Sequence, residues 1–246
     1  VPTGGRISIS DRVVFHAARG SFVAPEKRNI GMVFQSYAIW PHMNVFQNVA
    51  FPLTQGQKRV AKSMVSDRVR AALKRVQLDG LEDRPATDLS GGQQQRVAMA
   101  RAMVTDSKVL LMDEPLSNLD ARLREQMRVE LRKITKSIGV TTLYVTHDQA
   151  EALSLGDKVC VMNLGEILQI ASPHDIYAKP ANLFVAQFVG EMNFVKGKVA
   201  NGKVESPLGV IAAPVPNGIS SGAAVTLAIR PEHVGVSPSM NQGSAE

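Results

Sequence analysis

Leu89-Ser90-Gly91-Gly92-Gln93-Gln94-Gln95-Arg96-Val97-Ala98-Met99 places a hydroxyl and two glycines at the head of a long stretch without a helix breaker. Glycines let backbone N–H groups approach an anion closely, and a helix N-terminus adds a partial positive charge. The stretch is therefore built to meet phosphate. Sixteen positions beyond Gln93 begins Val109-Leu110-Leu111-Met112-Asp113-Glu114-Pro115, an apolar strand ending in two acids. Carboxylates at the end of a buried strand can hold a nucleotide's magnesium and an attacking water.

Outward from these two segments, strands and helices alternate. Residues 5–15 alternate around Ile7, Ile9 and Val13, which predicts a pair of antiparallel edge strands. Ile30-Gly31-Met32-Val33-Phe34-Gln35 reads as a short strand with Gln35 at its exit. From about 45 to 101 the pattern is helical, with Val65, Val69, Leu73 and Val76 on one apolar face. After the acidic strand come a helix near 121–138 stopped by Gly139, a β-branched strand at 141–146, and a short helix at 149–155 ended by Gly156. A strand at 158–162 then turns through Asn163-Leu164-Gly165-Glu166 into 167–170. Continuous apolar strands alternating with helices predict a mostly parallel α/β core. Past Gly190 only short strand-like runs separated by Gly, Pro and Asn remain, so a small all-β domain is expected, with its boundary near 188–193.

Composition narrows the class. The chain has 246 residues, 44% of them hydrophobic and 20% charged, as in ordinary soluble globular proteins. No apolar run approaches the ~18 residues of a membrane span. Cys160, the single cysteine, lies in an apolar run and is expected to be an inert core thiol; a disulfide framework is excluded. Much of the net charge of +6 lies in Lys58, Arg59, Lys62, Arg68, Arg70, Lys74 and Arg75. A solvated helix face is the first reading and an acidic partner or membrane surface the second. Nucleic acid comes last, because no stacking aromatics interleave with these cations. Val1 in place of Met and the aperiodic polar tail 238–246 are read as cut ends.

The glycine segment and the acidic strand, in this order, resemble the signature loop and Walker B strand of ATP-binding cassette (ABC) ATPases. The resemblance covers essentially the whole chain. It implies an α/β, P-loop NTPase-like cassette: a mostly parallel core sheet, antiparallel edge strands, a helical subdomain at about 45–101, and a small C-terminal all-β (OB-like) domain. The cassette is assigned to 1–189, incomplete at its N-terminus, and the regulatory barrel to 190–246, also expected to be incomplete. The resemblance makes Glu114 the base that activates water and His147 a switch histidine contacting the γ-phosphate. A lone histidine is more often structural, but this one sits at the carboxyl end of a predicted parallel strand, where open α/β sheets place ligands. Asp113 and Gln35 would hold Mg2+. Ser90, Gly91, Gly92 and Gln93 would bind the γ-phosphate held by a second cassette. Ser117-Asn118-Leu119-Asp120 resembles the D-loop at the dimer interface, and Asp120 also fits a plain N-cap for the next helix.

The P-loop itself, G-x-x-x-x-G-K-[ST], is not found before Gln35. Gly197-Lys198-Val199-Ala200-Asn201-Gly202-Lys203-Val204 approaches it but carries Val204 where a hydroxyl belongs and lies in a strand–turn–strand context; it is read as a β-hairpin. The expectation is a chain truncated just upstream, binding ATP poorly or not at all and inactive as it stands. A naturally degenerate cassette is the weaker alternative.

Two further stretches point to importers. Ser36-Tyr37-Ala38-Ile39-Trp40-Pro41-His42-Met43 is an aromatic loop resembling a dock for a transmembrane permease. Phe188–Phe194 and Leu227-Ala228-Ile229-Arg230-Pro231-Glu232-His233 resemble the barrel of importer ATPases for polyamines, iron(III) and oligosaccharides, with Arg230 and Glu232 read first as a structural corner and second as a functional ion pair. The expected setting is the cytoplasmic face of a bacterial inner membrane. Expected partners are a second cassette (a homodimer), permease subunits and, through them, an extracytoplasmic solute-binding protein. A soluble non-transport ABC ATPase and a non-catalytic regulatory cassette are the alternatives.

Overall fold

Alternation near the start produces β1 (Arg6–Ile9) and β2 (Arg12–His16), which pair antiparallel, with β3 (Ser21–Phe22) completing a three-stranded sheet. This is a computed structural model, and it describes residues 2–55, 60–213, 215–216 and 218–234. Lys58, Arg59 and the 238–246 tail lie outside the described residues. Two compact units emerge, Val1–Gly156 and Asp157–Glu246.

In the first unit, β4 (Ile30–Val33), β5 (Val109–Asp113) and β6 (Thr141–Val145) form a parallel sheet in the order β4-β5-β6. Between β4 and β5 the chain forms α1 (Val45–Thr54), α2 (Lys62–Arg75) and α3 (Gly91–Met103). Then α4 (Ala121–Ile138) connects β5 to β6, and α5 (Gln149–Leu155) follows. Each helix forms where its pattern predicts. Asn44 and Gln47 make a reciprocal capping box at the start of α1. On α2, Val65, Val69 and Leu73 bury one stripe, and Val76 is buried just past the helix. On α4, Met127, Leu131 and Ile134 are buried, and Gly139 ends the helix at φ 67°. Arg132 of α4 donates to the Ser154 and Leu155 carbonyls at the end of α5.

The core of this unit joins Val33, Leu110 and Met112 of the parallel sheet to Val97, Ala98 and Met99 of α3 and to the apolar faces of α1, α2 and α4. Contact between β4 and α3 is close: a Cβ on Gly31 would sit 2.3 Å from the Ala102 carbonyl oxygen. Only glycine fits there. Strand β6 is not buried on both faces as a continuous apolar strand predicts; Leu143 and Val145 are 60% and 51% exposed. The basic residues of α2 face outward, and Arg68 pairs with Asp106.

The second unit contains the hairpin β7 (Val159–Asn163) and β8 (Glu166–Ala171), short helices α6 (Pro173–Ala178) and α7 (Leu183–Phe188), and a four-stranded antiparallel sheet. That sheet consists of β9 (Asn193–Ala200), β10 (Lys203–Ser206), β11 (Gly209–Ile211) and β12 (Ala224–Ile229), in the order β11-β10-β9-β12. Leu164 and Gly165 both have positive φ, the geometry of the tight turn read from the sequence. Cys160 is not a core thiol. Strand β7 alternates, burying Val159 and Val161 and turning Cys160 and Met162 to the surface. Gly197 lies inside β9 opposite β10, where a Cβ would meet Val204 Cγ1 at 2.5 Å, so the P-loop-like stretch is a hairpin.

The break between units falls upstream of the 189/190 division drawn from composition. Buried Arg230 accounts for part of this: it donates to the carbonyls of Tyr177, Val189 and Glu191, tying α6 and the α7 exit to the end of β12. The Tyr177 hydroxyl donates to Glu232 at 2.7 Å, and the Arg230 guanidinium stacks 3.9 Å from the Tyr177 ring. This is the structural corner expected at Arg230 and Glu232, made through Tyr177 rather than a direct pair.

Candidate active site

Register brings the candidate residues together. Val33 of β4 lies beside Met112 of β5, and Asp113 beside Val145 of β6. The three strands run parallel, so Gln35, the Asp113–Glu114 pair and His147 all leave the sheet at the same carboxyl edge. Such an edge is where open α/β sheets bind ligands.

Glu114 is held from several sides. Its φ is +43°, unusual for a residue with a side chain. Its N–H donates to the Val145 carbonyl at 3.0 Å, and its carbonyl accepts from Ser117 Oγ at 2.8 Å. The carboxylate then meets the imidazole, with Glu114 Oε1 3.0 Å from His147 Nδ1. His147 is 74% exposed while Glu114 is only 28% exposed. The Glu114 carboxylate raises the His147 pKa above that of an ordinary imidazole, chiefly by accepting its hydrogen bond. With Nδ1 engaged, Nε2 is left on the other edge of the ring to meet a ligand.

The loop carrying His147 rests on a buried acid that the sequence pattern did not expose. Glu151, 3% exposed, accepts from the Tyr144 hydroxyl at 2.7 Å and from Thr146 Oγ1 at 2.8 Å. Thr146 Oγ1 in turn accepts from the Asp148 N–H, and Asp148 caps α5 through the Glu151 N–H. Burial and the adjacent Glu151 push the Tyr144 phenol well above its usual range.

Gln35 and Asp113 are exposed. Asn118 reaches the Gln35 carbonyl through its amide nitrogen at 2.8 Å, so the D-loop-like segment grips the strand exit across 83 positions of sequence. Asp120 caps α4, accepting from the Leu123 N–H at 3.0 Å, as the plainer of its two readings expects.

Ser90 caps α3. Its hydroxyl accepts from the Gln93 N–H, and the Gln93 side chain accepts from the Ser90 N–H, a reciprocal box that sharpens the helix start. The glycines answer to packing as well as to anion approach. A Cβ on Gly91 would lie 3.1 Å from Leu119 Cδ2, and one on Gly92 2.9 Å from the Met127 sulfur. The structure thus gathers Gln35, Asp113, Glu114 and His147 at one sheet edge and makes Ser90, Gly91, Gly92 and Gln93 the capped start of α3.

The aromatic loop after Gln35 is partly used internally. Tyr37 is buried, and the Trp40 ring packs against Phe51, tilted by 32° with centroids 4.2 Å apart, instead of standing free. Buried Asn48 accepts from the Trp40 N–H and donates to the Trp40, Met43 and Asn44 carbonyls. An amide at position 48, amid the buried apolar residues Val45, Val49 and Leu53, was the signal that could have revealed this clamp. What remains open is a groove of about 450 Å³ lined by His42, Met43, Phe46, Phe51 and Val65, among others.

Comparison with known proteins gives a consistent picture. Residues 1–117 match the family model described as ABC transporter. The chain is 51% identical over 196 residues to the trehalose/maltose import ATP-binding protein MalK of Thermococcus litoralis, covering 79% of this chain and 52% of that protein. It is 46% identical over 246 residues to the sn-glycerol-3-phosphate import ATP-binding protein UgpC of Escherichia coli O157:H7, covering 98% of this chain and 67% of that protein. Among solved structures, cbiO1 from Clostridium perfringens, part of the ABC transporter complex cbiONQ, superimposes with a TM-score of 0.62 at 30% identity, covering 73% of this chain and 70% of that one. The chain spans about half to two thirds of the length of these curated relatives. Fold and relatives agree: the chain belongs to the ABC transporter family.

Proposed function

We propose that this chain supplies the hydrolytic half-sites of an ATP-driven importer. The observation that carries this reading is the 3.0 Å contact between Glu114 and His147 at the sheet edge that also presents Gln35 and Asp113. Glu114 takes the proton of the attacking water, and His147 steadies the γ-phosphate through Nε2. Asp113 and Gln35 fit a magnesium ion: both bring oxygen donors to the same exposed edge, as a hard cation requires. No cluster of three or more His, Cys, Asp or Glu suited to a metal occurs among the described residues. One carboxylate with nucleotide phosphates is the usual manner of holding Mg2+. The ion, when bound, neutralises phosphate charge.

Ser90, Gly91, Gly92 and Gln93 serve a second copy. Their terminus faces the triphosphate bound by the partner cassette, with Asp120 and its loop at the junction, so ATP closes a homodimer. Closure is passed on through the loop after Gln35 and its neighbouring groove to permease subunits, and through them to an extracytoplasmic solute-binding protein. That the solved neighbour is part of a transporter complex supports this assignment. Among the described residues no helix is long and apolar enough to cross a membrane, so the permease is expected to provide the span and the chain to work at its cytoplasmic face. Relatives named for a disaccharide and for a phosphorylated triol match at nearly equal identity, so the solute is left to the permease and binding protein.

The test is Glu114→Gln in the complete gene product. Steady-state ATP hydrolysis should fall at least about a hundredfold while ATP still drives dimer closure, the scale expected for loss of a general base. Hydrolysis at the wild-type rate would remove Glu114 from that role.

A further inference from the structure

The loop between Gln35 and His42 is held in an unusual way. Tyr37 and Ala38 are consecutive residues with side chains at φ +60° and +47°, a left-handed pair that a chain adopts only when its surroundings fix it. The Tyr37 hydroxyl is buried without a partner among the described residues, so the side chain does not supply that hold through hydrogen bonding. The backbone carbonyls do. Arg101 donates from Nη1 to the Ala38 carbonyl and from Nη2 to the Tyr37 carbonyl, both at 2.5 Å. Its guanidinium also lies 4.6 Å from the centre of the Trp40 ring. The residue is 8% exposed, so these contacts are made out of water.

Arg101 lies near the end of α3, and Ser90 caps the start of the same helix. Asn118 grips the Gln35 carbonyl, Arg101 the carbonyls of Tyr37 and Ala38, and Asn48 the Trp40 backbone. We infer that Arg101 is a positioning residue that locks the loop after Gln35 to the signature helix, so that displacement of α3 by nucleotide at Ser90 moves Gln35 and the permease groove as one body. This rests on the importer reading above. A planar guanidinium can meet two adjacent carbonyls while stacking on an indole; a lysine ammonium keeps the charge but not the fork.

The test combines Arg101→Met, which keeps much of the stem without donors, with Arg101→Lys, which also guards against a variant that does not fold. Trp40 is the sole tryptophan of the 246-residue chain, so its acrylamide quenching reports the loop directly. Quenching should rise about twofold in Arg101→Met, with Arg101→Lys between it and wild type. In the complete gene product assembled with its permease, KM for ATP should stay within about twofold. The permease-stimulated kcat should fall about tenfold in Arg101→Met and be partly restored by Lys, the scale of one charged hydrogen bond lost. Wild-type quenching in Arg101→Met overturns the clamp. Raised quenching with wild-type stimulated kcat, or equal loss in both variants together with a lowered Tm, overturns the coupling. Wild-type protein without permease-stimulated hydrolysis sinks the importer reading instead, and Trp40 quenching then decides the clamp alone.

Discussion

Nδ1 of His147 and Oε1 of Glu114 stand 3.0 Å apart, joining the ends of β6 and β5 through side chains as the Glu114 N–H and Val145 carbonyl join them through the backbone. The pairing orients the imidazole before any ligand arrives. Preorganisation of this kind avoids reorganisation when charge develops.

A titration follows from it. His147 gains a carboxylate partner, so its pKa in the folded protein lies above the unfolded value of about 6.5. Any stabilisation from this contact is fully present below that unfolded value and is lost as pH rises through the higher folded one. An NMR titration of the His147 ring should show a midpoint above 6.5, and Glu114→Gln should bring it down. A midpoint at or below the ordinary value would deny the contact in solution.

The Glu151 platform gives a stability prediction. Removing this buried acid leaves the Tyr144 and Thr146 hydroxyls without their acceptor. Glu151→Ala should cost about 2 kcal/mol in urea unfolding at neutral pH, the penalty for stranding buried polar groups. Tyr144→Phe, which removes one donor only, should cost less. Equal stability of Glu151→Ala and wild type would mean that the His147 loop is held by other contacts.

Two glycines should part company on substitution. A Cβ at Gly31 collides with the Ala102 backbone carbonyl, which cannot step aside without moving α3. Gly31→Ala should therefore cost about 3 kcal/mol or more, measured by thermal or chemical unfolding. At Gly92 the neighbour is the flexible Met127 thioether, and Gly92→Ala should cost only about 1 kcal/mol. Similar penalties at both positions would contradict the packing described.

Much of this was legible in the residues, for physical reasons. The helix stripes of α2 and α4, the cap at Asp120, the Gly139 stop and the Leu164–Gly165 turn depend on neighbours within a few positions, and they formed where local pattern put them. The parallel strands also followed from pattern, and their shared carboxyl edge was enough to gather Gln35, Asp113, Glu114 and His147. What escaped was non-local. Cys160 faces outward because strand alternation, rather than the hydrophobicity of its run, decides its side. Arg101 and Glu151 satisfy groups at or beside the site, and Arg230 closes a corner in the second unit, each through contacts that no short window reveals. Trp40, expected to wait for a partner, is partly satisfied by Phe51 and Arg101.

Whether phosphate is clasped between two copies can be decided by mixing protomers. Gly92→Asp and Glu114→Gln variants of the complete gene product should each hydrolyse ATP negligibly on their own. In a mixed dimer, one interface combines the intact acid of the first variant with the intact glycine turn of the second. Hydrolysis should then return, towards about half the wild-type rate per mixed dimer if the two sites turn over independently, because one of two composite sites is whole. Mixtures as inactive as either variant alone would show that both elements act within one chain, contrary to the shared-site mechanism.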